Sequence, residues 1–158
     1  MTRFTSVSFF VTVLVLVNFV LISSAVRTFD LGKVRKNSIV FNENDVVTPE
    51  QEIFTKRFLS PYRANRYIGD LIIGEDQEGQ TVYVDAIELT NPSDQDVSGT
   101  LTFTIPSGII NLVAVLNQPE STVVICDTPE TLGSSTSVVN VRVVANSVSK
   151  LLVIIAAH

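Results

Sequence analysis

One cysteine, one histidine and no tryptophan occur in 158 residues, and each shortage excludes something. A lone Cys126 cannot form a disulfide within the chain, so stability has to come from packing. The histidine is His158, the last residue. A hydrolase triad would lack its base. One His and one Cys cannot supply the usual tetrahedral zinc set. No glycine-rich phosphate loop and no nucleophile elbow occur. Carboxylates are present, but none stands in a context that marks a glycosidase cleft. Neither an enzyme nor a cofactor is expected. The single Asn-x-Ser match, Asn91-Pro92-Ser93, carries the proline that blocks glycosylation.

The N-terminus is specific. Arg3 provides a basic start, and Phe9 to Ile22 (FFVTVLVLVNFVLI) is an apolar run of 14 residues. Ser23 and Ala25 then occupy the small positions a signal peptidase needs. These are the three parts of a secretory signal, with cleavage expected between Ala25 and Val26. The run is shorter than the roughly 20 residues a spanning helix requires. The expected organisation is a signal peptide over 1–25, a leader with a short helix over 26–64, and a β domain over 65–158. Secretion to the extracellular space follows from the signal.

The mature chain has ten Lys/Arg against sixteen Asp/Glu, a net charge of −6 with neutral His. The charge is uneven. Residues 26–66 carry +3 and residues 67–158 carry −9. An acidic main domain repels phosphate backbones, so no nucleic-acid partner is expected. The leader holds a small basic cluster, Lys33, Arg35 and Lys36. Thr48-Pro49-Glu50-Gln51 has the form of a capped helix start. Ile53, Phe54 and Phe58 share one face behind it. Lys56-Arg57 closes the helix and is also a dibasic pair of the kind secretory convertases cut.

Beyond Arg66, short runs of Val, Ile, Leu and Thr alternate with turn clusters. Gly99 to Ile105 (GTLTFTI) sets Leu101, Phe103 and Ile105 on one face and three threonines on the other. Val138 to Ala145 alternates likewise, with Val139, Val141 and Val143 inward and Asn140 and Arg142 outward. Leu71–Ile73, Thr81–Thr90, Ile109–Leu116 and Thr122–Asp127 complete the rhythm. Such spacing without intervening helices predicts an antiparallel β-sandwich or partly open barrel. Its core residues would fill the interior or line a ligand cavity equally well.

Three features bear on partners. Asp94, Asp96 and Ser98 read D-x-D-x-S-G, the way a calcium loop begins. Its twelfth position is Ile105, not the bidentate Glu of a helix–loop–helix site. The ordinary reading is a solvated turn, and the acidic turn Gly74 to Gly79 reads the same way. Cys126, inside TVVICD, reads first as a small buried thiol. A free thiol open to an intermolecular disulfide is the alternative. The tail, Ala145 to His158 (ANSVSKLLVIIAAH), superficially looks like a lipid-anchor signal. Its spacer and its seven-residue apolar run are too short for one. The tail is expected to be a strand buried on both faces, and no stable membrane anchor is expected.

Asn65-Arg66-Tyr67-Ile68-Gly69-Asp70-Leu71 resembles the opening motif, built on R-x-x-G-D, of the multiprotein bridging factor two family. These are small proteins of insects and their relatives. The similarity extends through the Ile/Val strand at 109–117, the small-residue loop Leu132-Gly133-Ser134-Ser135, the Val-rich strand at 138–144 and the apolar ending. The resemblance implies no catalytic residues. It implies a transcriptional co-activator from the founding activity, or a secreted salivary or haemolymph protein from most members. The expected function is non-enzymatic binding of an extracellular partner or ligand, either a protein or a small apolar molecule. Co-activation and carriage of a small apolar ligand are the alternatives.

Overall fold

The computed structural model describes residues 26–48 and 69–158. The helix expected from Thr48 onward, the Lys56-Arg57 pair, Ala25 and the signal segment lie outside these residues or, for Thr48 and Val26, at their border. The described chain is built from nine strands and one 3-10 turn. The strands are β1 (Arg27–Asp30), β2 (Lys36–Val40), β3 (Leu71–Gly74), β4 (Thr81–Asn91), β5 (Val97–Thr104), β6 (Ile110–Asn117), β7 (Val124–Cys126), β8 (Thr136–Val143) and β9 (Ser147–Ala157). They form a five-stranded sheet ordered β1-β4-β9-β6-β3 and a four-stranded sheet ordered β2-β5-β8-β7. The sheets pack face to face and do not close into a barrel.

Alternation decides which side chains meet between the sheets. Leu101 and Phe103 of β5 and Val139, Val141 and Val143 of β8 face Ile87, Leu89, Val113, Val153 and Ile155 of the larger sheet. Phe41 lies between Tyr83 and Phe103, with ring centroids 5.8 and 6.3 Å away. A buried Leu, Ile, Val or Phe contributes about 1.5–3 kcal/mol. A core with this many buried aliphatics explains how a domain without disulfides holds together.

The apolar tail is the middle of the larger sheet. β9 pairs antiparallel with β4 from Ser147 to Ala157 and with β6 from Leu151 to Ala157. Leu151, Val153, Ile155 and Ala157 enter the inter-sheet core. Leu152, Ile154 and Ala156 join a second buried cluster with Val82, Leu112, Ala114 and Leu116 on the sheet's other face. A run apolar on both parities therefore becomes a strand buried on both faces.

Two expectations need correction. The sheets are mixed rather than purely antiparallel, because β1 pairs parallel with β4 and β2 parallel with β5. The leader, moreover, does not stand before the β fold: its first part supplies an edge strand to each sheet. The β1–β2 and β4–β5 connections each cross from the larger sheet to the smaller, and the first arch stacks on the second. Leu31 N donates to Thr90 O at 2.9 Å and Thr100 N to Arg35 O at 2.7 Å. Gly99 makes the stacking fit, since a Cβ there would meet Arg35 O at 2.9 Å and a Leu31 methyl carbon at 3.0 Å.

Candidate functional site

Outward positions of the four-stranded sheet carry the complement of the core pattern. Two rows cross its strands. The first runs Lys36, Thr100, Asn140, Cys126 through β2, β5, β8 and β7. The second runs Ser98, Arg142, Val124 through β5, β8 and β7. With Arg35 at the end of the β1–β2 arch, these residues line an open groove of about 440 Å³.

The groove is rich in hydrogen-bond donors. Thr100 Oγ1 donates to Asn140 Oδ1 at 3.2 Å, and among the described residues the amide N–H₂ has no protein partner. Arg142 is held by Asp96, 2.9 Å from one guanidinium nitrogen, and its side chain is otherwise exposed. The side chains of Arg35 and Lys36 make no ion pair among the described residues. Two unpaired cations thus stand at the groove's edge in an acidic chain. Cys126 is exposed at its far side. The buried reading of this thiol is therefore corrected. Val123 and Ile125 take the inward places of TVVICD, and the period of two turns Cys126 outward.

The calcium-like loop is used differently. Asp96 accepts from Arg142 through one oxygen and from Ala145 N, at 3.2 Å, through the other. Ser98 faces the groove, and Asp94 is exposed. Among the described residues no three His, Cys, Asp or Glu side chains cluster as metal ligands.

The Gly69-Asp70 step forms a clasp. Gly69 has φ +99°, and a Cβ there would fall 2.5 Å from Val123 O. Asp70 Oδ1 accepts from Asn117 N and Nδ2 at 2.7 and 3.0 Å. Asn117 in turn exchanges bonds with Val123 at 2.9 and 2.8 Å. Gly69 O accepts from Ile125 N at 3.1 Å. These contacts fasten β3, β6 and β7 together, and they occupy an outward N–H of the β7 edge.

A second charged group went unseen in the sequence reading. Asp85 lies between Tyr83 and Ile87 on the inward parity of β4 and is 1% exposed. Arg27 Nε stands 2.9 Å from Asp85 Oδ2, and its NH2 lies 3.5 Å from Asp45 of the 3-10 turn. Its NH1 donates to Val40 O on β2 at 3.1 Å. The Asp85–Arg27 approach is close but poorly aligned for a hydrogen bond, leaving Oδ2 without one. One guanidinium thus bridges both sheets at their open edge and faces two buried carboxylates. Burial pushes the Asp85 carboxyl up, and the negative Asp45 adds to this. Arg27 and the Ala86 N–H pull it the other way. The group fastens the two sheets at this edge through charge. An acid at the same parity as Tyr83 and Ile87 was the signal in TVYVDAIELT.

Among the described residues no helix is long and apolar enough to cross a membrane. No family model, curated protein or solved structure matches the chain.

Proposed function

We propose that the chain is a secreted, non-enzymatic β-sandwich protein that binds an extracellular partner across the outer face of its four-stranded sheet. The observation that carries this reading is the groove, where Arg35 and Lys36, without an ion pair among the described residues, oppose the sign of the whole molecule. Interfaces are distinguished by local complementarity, and a patch of contrary sign steers a partner of the opposite charge. Secretion rests on the three-part leader ending at Ala25. The resemblance to the multiprotein bridging factor two family, most of whose members are exported, supports the same reading.

Expression of the full chain with a C-terminal tag tests the class. The tagged protein is expected in the medium, with Val26 at its N-terminus by protein sequencing. A chain held in the cell with residues 1–25 attached would overturn the reading. Nuclear accumulation would favour co-activation instead.

A further inference from the structure

We infer that the groove takes an extended acidic segment of a partner protein, whose carboxylates sit against Arg35, Lys36 and the Asn140 amide. This rests on the partner-binding reading above and deepens it. Arg35 offers a guanidinium fork and Lys36 an ammonium. Asn140 offers two amide N–H groups because Thr100 occupies its carbonyl. These groups want an acceptor-rich, negatively charged ligand, and Arg pairs best with a planar carboxylate.

The first row spans four strands, about 14 Å at some 4.8 Å per strand spacing. A single small anion would engage one end of it. Four residues of extended chain, at about 3.4 Å each, cover it. The segment lies across the face rather than adding to the β7 edge, where Ile125 N already donates to Gly69 O. Val124, 46% exposed beside Arg142, offers an apolar contact between charges. A long polyanion is disfavoured. Residues 67–158 carry −9, so a chain of phosphates or sulfates leaving the groove would run over acidic surface.

Cys126 makes the proposal measurable, because the only thiol of the chain is exposed in the groove. The probe is a fluorescent, end-capped peptide of alternating Glu and Val, with its Gln–Val counterpart as control. Anisotropy titration at low salt should show the Glu peptide binding at least tenfold more tightly than the control. Its affinity should fall as salt is raised. The bound Glu peptide should slow maleimide labelling of Cys126. The double variant Arg35→Ser, Lys36→Ser should weaken binding about tenfold. Both positions are exposed, so its melting temperature should match the wild type.

Equal binding of the two peptides overturns the proposal. So does Glu-peptide binding that leaves thiol labelling unchanged, or stronger binding of a sulfated oligosaccharide. The two readings fail separately. If the Glu peptide does not bind but a natural partner is lost from the double variant, the acidic-segment proposal falls and partner binding stands. If partner capture is also indifferent to the double variant, both fall.

Discussion

Deleting residues 150–158 is expected to leave a chain with no cooperative unfolding transition. Leu151 to Ala157 are all buried, and they alternate between the inter-sheet core and the cluster on the sheet's other face. The deletion removes Leu151, Leu152, Val153, Ile154 and Ile155. At about 1.5–3 kcal/mol each, their loss amounts to roughly 10 kcal/mol, similar to the whole stability of a typical domain. It also strips β4 and β6 of their common partner. Both strands become open edges, which invites aggregation. Thermal denaturation followed by circular dichroism checks this. A truncated protein that melts cooperatively near the wild-type temperature would remove the basis for placing β9 at the centre.

The second large effect is expected at Arg27. Its side chain is 29% exposed, while those of Asp85 and Asp45 are 1% and 3% exposed. Arg27→Ala should cost about 3 kcal/mol, because the carboxylates remain buried without their cation. Urea unfolding should show a lower midpoint. Arg27→Lys should recover only part of the loss, since one ammonium cannot reach Asp85, Asp45 and Val40 O as a fork does.

The pH dependence has a definite sign. The folded-state pKa of Asp85 lies above its ordinary 3.8. Folding is therefore penalised by ionising this group, and the penalty is complete above the folded pKa. It is relieved as pH falls through that value and is gone below the unfolded one. Arg27→Ala removes a cause that lowers this pKa, so its deficit relative to wild type should shrink as pH is lowered from neutral toward 4. A second variant, Asp85→Asn, should lack this component. A deficit constant across that range would show that Asp85 is not the group left stranded.

The β5 and β8 strands were legible because their cores and surfaces alternate without a break. The tail was legible because seven apolar residues between turns leave no room for a polar face. β1 and β2 were not. RTFD and KNSIV mix charge with apolar residues, and their partners lie some 60 residues away, Arg27 opposite Ile87 and Lys36 opposite Thr100. Local pattern does not carry such parallel, long-range pairing. The same reason hid the groove. Arg35 and Lys36 stood out as basic, and Asn140 and Arg142 as outward, but only the stacking of the two arches brings them onto one face. Cys126 could have been placed by parity with Val123 and Ile125; its apolar neighbours masked the alternation.

The central claim is that a partner docks on the outer face of the four-stranded sheet, and side-by-side capture from native secretions tests it most directly. The mature protein and the double variant Arg35→Glu, Lys36→Glu serve as bait, each first shown to be folded by its melting curve. The account predicts a protein retained by the wild type and lost from the variant. Equal retention by both would place the binding surface elsewhere and contradict the account.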